Sequence, residues 1–195
     1  MTDARAEILA RVRRALADRP PAPVVPRGYR RPSGPGDVDL FADRVRDYRA
    51  EVRVVPAADV PRTVAEALRS RGATAVVTPP GVPGEWVPAA VRTSSSETAD
   101  AVVTGCHVAV AATGTIVLDH DAPDQGARAL TLLPDYHLVV VPRDRIVADV
   151  PDAVAALAGV PTQTWISGPS ATSDIELERV EGVHGPRTLV VVVAL

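Results

Sequence analysis

A single cysteine, Cys106, stands in a chain of 195 residues. One thiol forbids an internal disulfide and falls short of the thiolate set that an iron–sulfur cluster or a Cys-rich zinc site requires. Any redox centre therefore has to come from another protein. Aromatic residues make up only 3% of the chain, which leaves Val, Ala and Leu to fill the interior. No apolar run approaches the roughly eighteen residues that span a membrane, and residues 1–17 alternate charge with apolar side chains in place of the apolar core of a secretory signal. The cytoplasm is the expected location. A basic stripe is missing too: the net charge is −3 and the arginines are scattered among acids, which argues against nucleic acid as a partner.

What is present is a 46% hydrophobic chain of a length that forms one core. Ile8, Leu9, Val12 and Leu16 recur at helical spacing and predict an amphipathic helix over residues 2–18. Residues 19–37 hold Pro20, Pro21, Pro23, Pro26, Pro32 and Pro35 and read as a linker, so the main domain is expected to span 38–195. From Val38 onward, helical patterns (Val38, Phe41, Val45; then Val64, Ala67, Leu68 closed by Gly72) alternate with short apolar runs at 52–55, 73–77, 101–103, 108–111, 115–118, 138–141, 164–166 and 188–193. Residues 79–97 read as a mobile surface loop. Runs such as 189–195 suit strands buried on both faces. The fold class is therefore α/β, with a mostly parallel sheet flanked by helices, and such sheets take ligands beyond the carboxyl ends of their strands.

Three segments can carry chemistry. The turn Thr113, Gly114, Thr115 offers two hydroxyls around a residue that permits close backbone approach, enough to hold a carboxylate or phosphate, although by itself so short a motif is better explained as a plain tight turn with Thr starting a strand. Ser167, Gly168, Pro169, Ser170, Ala171, Thr172, Ser173 and Asp174 follow a strand and form the densest polar loop, whose alternative use is helix capping. His184 sits between Gly182 and Pro186 in a loop before the last strand and is the best titrating candidate for catalysis. Asp119, His120, Asp121 and His137 show no metal-ligand spacing, and Cys106 reads as a buried structural thiol. The expected ligand-binding set is Thr113, Gly114, Thr115, Gly168, Ser170, Thr172, Asp174 and His184, with no metal.

The blocks T-G-T-I-V-L at 113–118, L-L-P-D-Y-H-L at 132–138, G-P-S-A-T-S-D-I-E at 168–176 and G-V-H-G-P at 182–186 together resemble the lactate-utilisation (LUD) domain, of the protein C type. The resemblance implies a fold similar to the sugar-phosphate isomerase and CoA-transferase superfamily (NagB/RpiA/CoA transferase-like). It also implies a role in oxidising L-lactate to pyruvate beside iron–sulfur partner proteins, with no cofactor held by this chain. Two positions depart from the pattern: Ala112 stands where relatives carry Glu before T-G-T, and Ala171 where they carry Arg after G-P-S. Ala can neither move a proton nor pair with a carboxylate. That leaves three readings: a subunit binding a small organic acid, an acyl- or CoA-transferase-like enzyme, or a non-catalytic interaction or regulatory subunit.

Overall fold

The fold is taken from a computed structural model that describes residues 4–18, 23–26, 28–172, 180–181 and 185–195. Helix α1 (Ala4–Ala15) stands clear of the domain with no buried residue. The domain then runs α2 (Val38–Asp47), β1 (Glu51–Val55), α3 (Val60–Ser70), β2 (Val76–Val77), β3 (Ala101–Thr104), β4 (Val108–Val110), β5 (Thr115–Asp119), α4 (Arg128–Leu132) and β6 (Tyr136–Pro142). It continues through β7 (Ile146–Val147), α5 (Val150–Ala156), β8 (Gln163–Ile166), a short β9 (Ala171–Thr172) and β10 (Val180–Glu181) pair, and β11 (Thr188–Ala194).

The sheet is parallel, in the order β1-β11-β6-β3-β2. Successive side chains of a strand point to opposite faces, and here both faces are core. Val139, Val141, Val191 and Val193 meet Phe41 and Val45 of α2 together with Ala109, Ile116 and Leu118. Leu138, Val140, Val190 and Val192 meet Val60, Val64, Ala67 and Leu68 of α3. The first face is thus covered largely by a second, four-stranded sheet, β7-β4-β5-β8, whose outer side is closed by Ala153 and Leu157 at α5. The layers run helix, sheet, sheet, helix. The α/β class read from the alternation holds, with a mixed sheet supplying one of the flanking layers. Helices α4 and the β9–β10 pair were not foreseen, being too short to show a period. In the segment read as a mobile loop, Val82 and Val87 are buried against the α3 side of the sheet, which supplies cover where no helix is present.

The linker does not end loosely. Asp152, at the third position of α5, accepts hydrogen bonds from Ser33 N (2.6 Å), Gly34 N (2.7 Å), Ser33 Oγ (3.1 Å) and Asp149 N (3.1 Å). Its burial alone would raise the carboxyl pKa, but these donors outweigh it and the net shift is downward. Gly36 N donates to Ile146 O and Ala148 N to Gly34 O, and Asp37 caps α2 by accepting from Leu40 N at 2.9 Å. Residues 33–37 are therefore tied into the domain.

A truncation pair measures how firmly. Removing residues 1–37 should cost about 2–4 kcal/mol more than removing 1–32, because it strips both the Asp37 cap and the donors of a buried carboxylate. Urea unfolding of the two truncated chains checks the difference, and equal midpoints would show the strap to be energetically idle.

Candidate functional site

Hairpin β4–β5 pairs Val110 with Thr115 and turns through residues 111–114. Gly114 closes the turn at φ 63°. A Cβ at this position would lie 2.7 Å from the Arg44 carbonyl carbon and 2.8 Å from Val45 N, so glycine is required both by the backbone conformation and by the approach of α2. Gly168, at φ 88°, is pressed in the same way against the Tyr48 side chain. The room that glycine opens at these two positions is filled by the C-terminal end of α2 and its next residue.

The hydroxyls flanking that turn face inward. Thr113 Oγ1 lies 2.8 Å from Thr115 Oγ1, which in turn lies 2.9 Å from Ser167 Oγ. The contact follows from register, since β5 pairs β8 with Ile116 opposite Ile166 and Ser167 is the next residue. Two segments some fifty residues apart therefore meet, as a row of three hydroxyls.

Ser167 opens onto a cavity of about 360 Å³ whose wall also includes Gly168, Ser170, Thr164, His137 and Arg128. Its floor is formed at the amino ends of β6 and β11, where His137 and Leu189 lie. The expectation of a carboxyl-end site is corrected for this cavity, because the G-P-S segment leaves β8, a strand of the second sheet, and not a strand of the parallel one. Of the anticipated residues, Gly168 and Ser170 line the cavity, while Thr115 backs Ser167 and Thr113 lies one hydroxyl further from it. Gly114 serves α2. Thr172 contributes backbone pairing to Val180. The Thr172 side chain, Asp174 and His184 lie outside the described residues.

Sequence reasoning missed His137 as a site residue. It faces the second sheet, on the same side of β6 as Val139 and Val141, where strand alternation calls for an apolar side chain. A polar residue at such a position was the available signal. Its Nε2 lies 2.8 Å from Thr104 Oγ1, and burial pushes its pKa down to about 3, so the ring is neutral at physiological pH. Bonded to Thr164 of the wall, His120 links Gly126 O (2.8 Å from Nδ1) to Thr164 Oγ1 (2.6 Å from Nε2). In the neutral ring, Nδ1–H donates to the carbonyl and Nε2 accepts the Thr164 hydroxyl proton. Arg128, exposed at the mouth, makes no ion pair among the described residues. The wall carries no carboxylate among those residues. Hydroxyls, a neutral imidazole and one guanidinium can hold a small anion by hydrogen bonds.

Comparison with known proteins places the chain. Residues 38–194 match the LUD domain family. The chain is 43% identical to lactate utilization protein C of Deinococcus radiodurans, over 98% of this chain and 95% of that protein. It is 35% identical to lactate utilization protein C of Bacillus subtilis over 47% of this chain and 40% of the relative. A crystal structure of a DUF162 family protein from Deinococcus radiodurans superposes with a TM-score of 0.68 at 41% identity, covering 81% of this chain and 96% of the other.

The neutral, buried His137 predicts a pH dependence of stability. An unfolded chain binds a proton at this residue below about pH 6.5, whereas the folded chain refuses it down to about 3. The sign is a loss as pH falls: about 1.4 kcal/mol per pH unit from this residue below about pH 6.5. The depressed carboxyls Asp100, Asp135 and Asp152 add their own losses only below about pH 4. In denaturant titrations between pH 7.5 and 5, about one proton's worth of slope should disappear in His137→Gln. An unchanged slope would refute the assignment.

Proposed function

Because this chain belongs to the LUD domain family, we propose that it is a component of an L-lactate-utilisation system, binding a small organic acid in the cavity between β8, β6 and α4. The observation that carries the reading is the near full-length similarity to a protein named for that role. The cavity is consistent with it: its wall carries the Arg128 guanidinium, which can pair with a carboxylate, together with the hydroxyl-bearing Ser167 and Thr164.

The residues bind and orient the acid without reacting with it. A histidine whose pKa lies near 3 is too weak a base to take a hydroxyl proton at neutral pH, so His137 serves as a neutral hydrogen-bonding group. Oxidation of lactate to pyruvate releases two electrons, and this chain does not suit a metal cluster. Cys106 is fully buried in the core and burial pushes its thiol up to about 12, the reverse of what a thiolate ligand needs. The family resemblance implies iron–sulfur partner proteins, and on this proposal electron transfer runs through them and not through a centre held by this chain.

The transferase alternative needs a nucleophilic carboxylate near the turn at 113–115, where Ala112 stands. Glu97 is exposed and lies outside the cavity wall, and Glu176 and Glu178 are outside the described residues.

Two measurements test the proposal. Purified protein should show no stoichiometric flavin or iron–sulfur absorbance, and a visible band would overturn the division of labour. Calorimetric titration with L-lactate, pyruvate and inorganic phosphate should find an acid that binds, with affinity reduced about tenfold by Arg128→Ala, the loss of roughly one charge-assisted hydrogen bond. Absence of binding by both organic acids would remove the ligand assignment.

A further inference from the structure

A second concavity lies at the opposite end of the parallel sheet. Beyond the carboxyl ends of β1, β6 and β11 is a groove of about 710 Å³, walled by Ala57, Val60, Trp86, Val140 and Leu195. Its remaining wall includes Pro35 and Gly36, the last stretch of the linker, anchored there by the Gly36 and Asp152 hydrogen bonds. Acids rim the groove: Asp144, and along its continuation Asp37 and Asp39, against Arg143, the one cation among the described residues that line it. Asp39 and Asp144 form no ion pair among the described residues.

The same chain carries an apolar surface without a counterpart. Ile8 (62% exposed), Leu9, Val12 and Leu16 form one stripe of α1 and its following turn. Glu7 is paired with Arg11 at 2.6 Å, whereas Arg13 and Arg14 form no ion pair among the described residues. The helix is about 18 Å long at 1.5 Å per residue. It is joined to the groove's own wall by residues 19–32, a stretch that reaches up to about 45 Å at about 3.3 Å per residue. A tether rooted at the rim gives the helix a high local concentration there.

We propose that α1 folds back in cis onto this carboxyl-end groove, setting Ile8, Leu9, Val12 and Leu16 against Trp86 and its apolar neighbours and Arg13, at the edge of that stripe, against the rim acids Asp39 and Asp144. Shape, charge and tether select the same occupant. The groove is apolar and the helix stripe is apolar, the rim is acidic and the helix end is basic, and the linker enters the fold at the groove itself. Docking removes both apolar surfaces from water and places the N-terminal arm over the edge of the sheet where α/β folds take ligands, so the arm acts as a cover for that edge.

Trp86 reports the event. In the full-length chain carrying Trp165→Phe, Trp86 is the sole indole. Its acrylamide quenching constant should rise about twofold when Ile8→Asp and Val12→Asp are added, and amides 8–16 should exchange about tenfold more slowly in the parent than in that variant. Both effects should be independent of protein concentration. Asp39→Lys with Asp144→Lys should release the helix, and adding Arg13→Glu should restore quenching toward the parent value. Because α1 has no buried residue in the undocked form, its substitutions leave the domain's fold intact. Equal quenching in parent and Ile8→Asp, Val12→Asp chains overturns the proposal. So does protection that grows with concentration, which would assign the helix to a second copy, and so does a charge swap that fails to restore.

Discussion

The structure depends on two valine-rich strands that have no outside. Strands β6 and β11 run side by side with Val190 against Leu138 and Val191 against Val139, and each alternate residue is committed to a different core. Each such side chain contributes on the order of 1.5–3 kcal/mol by leaving water. A one-residue slip would exchange the faces and leave both layers mismatched. The helix layer on one side and the second sheet on the other are consequences of that pair, since neither face can be left to solvent.

Much of this was legible in the residues. Unbroken runs such as 138–141 and 189–195 announce strands buried on both sides, and helical spacing at Phe41 and Val45 or Val64 and Leu68 marks the helices that cover them. The second sheet was less legible. Its strands at 108–110 and 115–119 carry the same apolar signature whether they pair with the first sheet or stack on it, and pairing partners are a long-range property that local pattern does not encode. Very short elements such as α4 offer no period to read.

The site was legible in part, for a related reason. Hydroxyl-rich turns at 113–115 and 167–170 were recognised from residue type, and register brings them together at Thr115 and Ser167. Gly114 was read as room for a ligand, yet its space receives the end of α2, and Gly168, which lines the cavity, is also pressed against Tyr48, because a missing Cβ tells only that something approaches closely. His137 was passed over as a cavity residue, although a polar side chain in a strand that otherwise reads as core was the signal. Its neutrality is a product of burial, which no linear pattern reports.

The row formed by Thr113, Thr115 and Ser167 has a property beyond position. Each hydroxyl has one proton to donate and two lone pairs to accept with, so in a row spaced at 2.8 and 2.9 Å what Ser167 offers the cavity depends on whether it donates to Thr115 or accepts from it. If Thr115 donates to Ser167, Ser167 has its proton left for the cavity. With the opposite polarity Ser167 spends its proton on Thr115 and shows the cavity only lone pairs. An anion at Ser167 selects the first arrangement and an incoming donor selects the second. The hydrogen-bond character that Ser167 presents to the cavity is thus coupled, through Thr115, to the hairpin turn.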